Sequence, residues 1–307
     1  MRMPRVRVPV LALVCLTSSP DAWAQTCPGP QPEVEPNDTM AQATPLTPPN
    51  PAFFFDVFLP APGFTPPGDV DFFSVPLQAD TRLWLLVDTG TLDGGTSRDS
   101  VLQVLRPDGT LLEEDDDDGT GMSPFPFAVN TTESSTVAGL RVPATGTYFL
   151  RVTAKDPTAS MAYRLLMIVT PLALESEIEP NDTPAQAIQP LMSPTIRGTL
   201  TAGDVDCYRA TVLDHGVPLV MADGWPDTVL FPVDLAMILH LNGGQLVVNS
   251  SQLSARPGEA ILVLTENGMH VCLAGSSATP GIPTYHVGLF YSSQCPLPVQ
   301  LQSFEVR

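Results

Sequence analysis

The 307-residue chain carries 33 acidic against 14 basic residues, a formal net charge of −19, together with 34 prolines, 22 glycines and 43% hydrophobic residues. So negative a surface repels phosphate backbones and anionic bilayers, which argues against nucleic acid or an acidic membrane as a partner and suits cations. Proline and glycine at this density leave no room for long helices, yet the apolar content is too high for a disordered chain, so many short strands between turns are expected.

Arg2, Arg5 and Arg7 precede an apolar run from Val8 to Leu16 and a Ser/Pro stretch that ends Ala22-Trp23-Ala24. This is the layout of a secretory signal peptide over residues 1–24, with a small-x-small cleavage site. The run is too short for a permanent anchor, and no later segment supplies the roughly 18 uninterrupted apolar residues of a span. The mature chain is therefore expected to begin near Gln25 and to be secreted, outside the cell or at its surface, without membrane insertion. Further along, Leu83–Val87, Val101–Leu105, Tyr148–Val152 and Tyr163–Val169 are strand-length apolar runs bounded by turn residues, the signature of a β-sandwich. Between them lies the acidic run from Glu113 to Gly119. It lacks the glycine-spaced alternation of a dedicated calcium loop and is expected to be solvated and mobile.

The organisation is decided by internal repetition. Glu33-Val34-Glu35-Pro36-Asn37-Asp38-Thr39-Met40-Ala41-Gln42-Ala43 recurs as Glu177-Ile178-Glu179-Pro180-Asn181-Asp182-Thr183-Pro184-Ala185-Gln186-Ala187, with nine of the eleven positions identical. The register continues from Gly68-Asp69-Val70-Asp71-Phe72-Phe73 to Gly203-Asp204-Val205-Asp206-Cys207-Tyr208, then from Asp99–Leu111 to Asp234–Leu246. Gly146-Thr147-Tyr148 is matched more loosely by Gly268-Met269-His270, and the closing strands run through Tyr163 and Tyr285. Two units follow, at 33–170 and 177–295, joined by the short linker Thr170–Ser176 and followed by a tail at 296–307 that reads as an edge strand.

Glu-x-Glu-x-Asn-Asp-Thr, then Gly-Asp-x-Asp-aromatic-aromatic, then Gly-Thr-Tyr resembles the bacterial pre-peptidase C-terminal domain, here in tandem, a family similar in fold to the collagen-binding domains of clostridial collagenases. The resemblance implies an all-β chain of two jelly-roll-like β-sandwich domains after a signal peptide. It also implies a calcium site at the entry to each domain. The physical pattern agrees, because acidic and amide side chains at alternate positions of an extended segment point their oxygens to one side, as the six to eight oxygen ligands of Ca²⁺ require. The candidate ligands are Glu33, Glu35, Asn37, Asp38, Asp69 and Asp71 in the first unit and Glu177, Glu179, Asn181, Asp182, Asp204 and Asp206 in the second, with the choice within each Asp-x-Asp pair open. The competing reading is that Asn-Asp-Thr caps a short helical turn over Met40–Ala43 while the glutamates stay solvated.

Outside the leader, Cys27, Cys207, Cys272 and Cys295 form an even set suited to an oxidising compartment. Cys207 and Cys272 stand where the first unit has Phe72 and, approximately, Leu150. Two core-facing positions that change together to cysteine predict a bridge within the second unit, leaving Cys27 and Cys295 to join the ends or remain free. Catalytic motifs are missing: the four histidines form no His-Glu-x-x-His pair, and there is no Gly-x-Ser-x-Gly elbow, phosphate loop or Cys-x-x-Cys knuckle. The expectation is thus a non-catalytic, monomeric binding or adhesion protein for an extracellular protein or polysaccharide. The alternative is a structural spacer or export accessory of a secreted, peptidase-associated assembly.

Overall fold

The structure, a computed structural model, describes residues 31–47, 61–89, 95–116, 118–120, 134–187, 195–210, 218–223, 235–241, 244–248, 258–262, 269–275 and 282–291. The expected signal peptide, Phe53 to Phe55, Cys15, Cys27, Cys295 and the tail lie outside the described residues. No α-helix occurs among the described residues, so none is long and apolar enough to cross a membrane. The chain is all-β.

In the N-terminal half the strands are β1 (Thr44–Pro45), β2 (Ala61–Thr65), β3 (Asp71–Leu77), β4 (Thr81–Asp88), β5 (Ser100–Leu105), β6 (Leu111–Asp115), β7 (Asp118–Thr120), β8 (Ser134–Arg141), β9 (Gly146–Ala154) and β10 (Met161–Pro171). In the C-terminal half they are β11 (Glu175–Ser176), β12 (Thr195–Leu200), β13 (Val205–Ala210), β14 (Pro218–Asp223), β15 (Leu235–Leu241), β16 (Gly244–Val248), β17 (Gly258–Leu262), β18 (Met269–Gly275) and β19 (Ile282–Tyr291). One sheet runs β1-β3-β9-β5-β6, and its counterpart runs β13-β18-β15-β16. The orders β8-β4-β10-β2 and β17-β14-β19-β12 likewise correspond, and they lie in one ten-stranded sheet because β7 pairs in parallel with β17.

Alternation explains the packing. Along β3, Asp71, Phe73, Val75 and Leu77 are buried while the residues between them are partly exposed, the period of two expected of a strand with one face on a core. Two separate apolar cores result. One is gathered from residues between Leu46 and Met167, and the other from residues between Ile196 and Leu289. Strand β4 departs from this pattern, since everything from Arg82 to Asp88 is buried. Leu83, Leu85 and Val87 enter the first core, whereas Trp84 points the other way and meets Phe290 of β19 edge-on, with ring centroids 5.2 Å apart. Gly139, at φ +72°, makes room for it: a Cβ there would stand 3.1 Å from the indole. The indole N–H donates to the Thr170 hydroxyl at 3.0 Å, and Arg82 donates to the carbonyls of Gly139 and Leu172, which ties the linker to β4. The tryptophan is core.

Two sequence expectations are corrected. The acidic run is not a free loop: Glu113 to Asp115 belong to β6, the buried Asp115 carboxylate accepts the Thr136 N–H, and Asp116 pairs with Lys155 at 2.7 Å. The expected bridge between Cys207 and Cys272 is present, but its register differs by one residue. Phe72 lies opposite Arg151 and Cys207 opposite Cys272, so Cys272 occupies the place of Arg151, not Leu150. A one-residue slip turns a side chain to the other face. The bridge therefore lies on the face away from the core that Tyr208, Val271 and Leu273 enter. Closing a loop of 65 residues stabilises the fold by about 4 kcal/mol in chain-entropy terms.

Trp84→Ala should lower the unfolding free energy by about 3–5 kcal/mol and split a single denaturant transition into two as the halves lose their shared packing. Wild-type behaviour in guanidinium melts would refute this role for the indole.

Candidate metal centre

Each acidic lead-in is stitched onto the strand that carries the buried aspartate near its start. The Asn37 carbonyl accepts the Phe72 N–H at 2.9 Å, and the Asn181 carbonyl accepts the Cys207 N–H at the same distance. The glutamate side chain curls back onto the following asparagine: Glu35 Oε2 accepts the Asn37 N–H at 3.0 Å, and Glu179 Oε2 accepts the Asn181 N–H at 3.0 Å. Val34 and Ile178 face solvent, 62% and 58% exposed. The strand aspartates are reached by a turn from Pro66 to Asp69 and its counterpart from Thr201 to Asp204, closed at 3.1 Å, with Gly68 at φ +82° and Gly203 at φ +86° where such a turn requires left-handed backbone.

These contacts bring Glu33, Glu35 and Asp71 together, with one carboxylate oxygen from each within 4.8 Å of the others, and Glu177, Glu179 and Asp206 in the same way. The second aspartate of each Asp-x-Asp pair is thus the one that faces the glutamates, because it shares the inward parity of Phe73 and Val75. Asp204 instead accepts from Thr201 and from the Val205 N–H. Asp69 accepts from the Val70 N–H; burial first, and then the neighbouring Asp38 carboxyl, raise its own carboxyl above the ordinary range. Asp38 and Asp182 are exposed, and neither lies in a three-carboxylate group. Asn37 and Asn181 are fully buried beside the clusters. The Asn181 amide, with its nitrogen turned inward, donates to Glu179 Oε2 at 3.0 Å and Asp206 Oδ1 at 2.9 Å. The helical turn expected over Met40–Ala43 is a single turn that Thr39 and Gln42 close between themselves, as Thr183 and Gln186 do.

Four further residues complete the sites. Tyr163 donates its hydroxyl to Asp71 Oδ2 at 2.6 Å, and the Tyr285 hydroxyl lies 2.8 Å from both Asp206 Oδ2 and Glu177 Oε2. Opposite them in register stand Gly63 and Gly198. A Cβ on Gly198 would sit 2.2 Å from Glu177 Oε2 and Tyr285 Oη, and one on Gly63 2.2 Å from Tyr163 Cζ, so only glycine lets tyrosine and carboxylate meet there. The signal was present in the sequence, because Gly63 precedes Gly68 by the spacing at which Gly198 precedes Gly203.

Burial, which strips water from the charged form, pushes the Asp71 carboxyl up to about 8. The charges of Glu33, Asp69 and Glu35 add to this, and the Tyr163 hydroxyl opposes it. Asp206 is pushed up to about 8 for the same first reason, with Glu177 and Asp204 adding and Tyr285 opposing. Both tyrosines are themselves held far above their ordinary range by burial first, and next by Asp71 for Tyr163 and by Tyr208 and then Asp206 for Tyr285. Asp71 Oδ1 and both polar atoms of the Asn37 side chain are buried without a hydrogen-bond partner. Orphaned buried oxygens among converging carboxylates, in a cradle that a single Cβ would fill, fit a metal ion.

Residues 69–154 match the bacterial pre-peptidase C-terminal domain. The matched stretch runs from the Asp-x-Asp pair of the first half to the end of β9. No curated protein matches the chain. Among solved structures, the CUB1-EGF-CUB2 domain of human MASP-1/3 aligns with 75% of this chain and 99% of its own at 8% identity and a TM-score of 0.21. The N-terminal CBM22-1-CBM22-2 tandem domain from Paenibacillus barcinonensis Xyn10C aligns with 76% of this chain and 85% of its own at 10% identity and a TM-score of 0.22. At such scores these likenesses add nothing to the site.

An acid whose folded pKa lies above its unfolded value binds its proton more tightly in the fold. Stability is then lost as pH rises from the ordinary 3.8 through about 8. With chelator present, the thermal midpoint should fall between about pH 5 and pH 8 more steeply in the wild-type protein than in D71N/D206N. Equal slopes would show that these carboxyls ionise freely.

Proposed function

We propose that this chain is a secreted, non-catalytic binding or adhesion protein built from two modules, 33–170 and 177–295. Each module is stabilised by calcium at its own carboxylate cluster, and the pair recognises an extracellular protein or polysaccharide. The observation that carries the reading is the same three-carboxylate cluster built twice, each around a buried aspartate and a buried asparagine. Calcium suits it, because the donors are hard oxygens and two ligands at 2.3–2.6 Å from one ion lie at most about 5 Å apart. Glu33, Glu35 and Asp71, with Asn37 beside them, would hold the first ion, and Glu177, Glu179 and Asp206, with Asn181, the second. A bound cation would neutralise the converging carboxylates and fasten each lead-in to its strand. The match at residues 69–154 to a bacterial domain family and the bridge between Cys207 and Cys272 support export to an oxidising compartment.

A second reading, a rigid structural spacer, is favoured by the ten-stranded sheet that runs through both halves and by the contact between Trp84 and Phe290. Two measurements separate the readings. Millimolar calcium should raise the melting temperature over that in chelator, and D71N and D206N should each remove part of the rise; an unchanged midpoint removes calcium from the account. Retention of the calcium-loaded protein on one of collagen, chitin, cellulose or cell walls supports recognition, and retention on none supports the spacer.

A further inference from the structure

Asp206 of the second cluster stands on an outlying strand. In the order β13-β18-β15-β16, β13 is the outermost of the described strands, so it is held by β18 on one side and by the acidic lead-in on the other. A strand with few neighbours opens at a lower free energy than a central one. Cys207, directly after Asp206, carries both attachments. Its side chain is bridged to Cys272, the residue opposite it on β18, and its N–H donates to the Asn181 carbonyl at 2.9 Å.

The bridge has no part in an ion's shell. Successive residues of a strand point to opposite faces: Asp206 turns toward Glu177 and Glu179, while the bridge lies on the face away from the core. What the bridge controls is position. With β13 fastened to β18, Asp206 keeps its place opposite Leu273. The lead-in then keeps the carbonyl contact that holds the Asn181 amide 3.0 Å from Glu179 Oε2 and 2.9 Å from Asp206 Oδ1. Parting β13 from β18 would displace Asp206, Asn181 and Glu179 together. Cys207 and Cys272 are 0% and 1% exposed, so a reductant reaches the sulfurs only when that same pairing opens. A bound ion and the bridge thus oppose one and the same motion.

We propose that the bridge between Cys207 and Cys272 and calcium at Glu177, Glu179 and Asp206 are thermodynamically coupled: the bridge positions the second site for the ion, and the ion shields the bridge from reduction. This rests on the calcium reading above. Such coupling is reciprocal, so the factor by which the bridge tightens calcium binding equals the factor by which calcium favours the oxidised form. Closing the bridge takes two electrons and two protons from the two thiols, and a disulfide oxidant receives them on becoming a dithiol. Oxidation therefore completes the second site, which reaches full affinity only in an oxidising compartment.

The test is a calorimetric calcium titration of the purified protein, with terbium luminescence excited through tyrosine alongside it. D71N leaves the second site to be read by itself, and adding C207S/C272S should weaken that site about tenfold, as loss of support behind metal ligands does. D206N leaves the first site, where Phe72 stands opposite Arg151, and the same pair of serines should leave its affinity unmoved. The wild-type protein supplies a measurement that does not depend on how the serine variants fold. At calcium ten times the dissociation constant of the second site, dithiothreitol should reduce the bridge about tenfold more slowly than in chelator, and D206N should abolish the slowing. An affinity in D71N that is the same with and without the bridge, a first site weakened as much as the second, or a reduction rate indifferent to calcium while the ion still binds would overturn the proposal. If the serine variants do not fold, the reduction rate decides alone. No heat and no luminescence in the wild-type protein would instead overturn the calcium reading itself.

Discussion

Near the start of β3 and of β13 a carboxylate stands where the strand's own alternation calls for an apolar side chain. Asp71 precedes Phe73, Val75 and Leu77 on the inward face, and Asp206 precedes Tyr208 in the same way. Carrying an ionised group into that position is costly unless something of opposite charge, or a proton, comes with it. The surroundings supply further carboxylates instead, from Glu33 and Glu35 or from Glu177 and Glu179. Like charges brought together under burial raise the affinity for a cation and for a proton alike, and this tension organises everything around it.

The rest of each site can be understood as scaffolding for that aspartate. The asparagine carbonyl pins the lead-in to the strand one residue further on, and a tyrosine from the closing strand donates to the carboxylate. A glycine opposite the tyrosine leaves the space that both need. In the second half the disulfide begins at the residue directly after Asp206, so a covalent link between β13 and β18 adjoins the site. The first half has Phe72 opposite Arg151 at that level.

Much of this was legible in the chain. Repetition of the lead-in, of the Asp-x-Asp turn and of the strand runs identified the elements. The bridge between the two cysteines followed from their joint appearance. The register of Cys272 did not, because Gly268-Met269-His270 resembles Gly146-Thr147-Tyr148 only loosely and the alignment slips by one residue, which in a strand exchanges inside for outside. The acidic run was misread for a related reason: charge density alone says nothing of a neighbouring strand, and Asp115 is buried by its contact with Thr136. Trp84 lies in an apolar run, but nothing in that run names Phe290 as the ring it meets.

The sequence by itself determined what is local or repeated: strand length, turn glycines, the acidic segments, and the presence of two copies of each. These depend on neighbouring residues and on short-range sterics. Only the tertiary structure decided which aspartate of each pair meets the glutamates, which tyrosine reaches it, and where Trp84 is buried. Each of those outcomes is set by pairing between strands far apart in the chain, such as Gly198 with Tyr285, and by the meeting of β4 with β19. A long-range register of that kind leaves no mark at any single position until the sheets have formed.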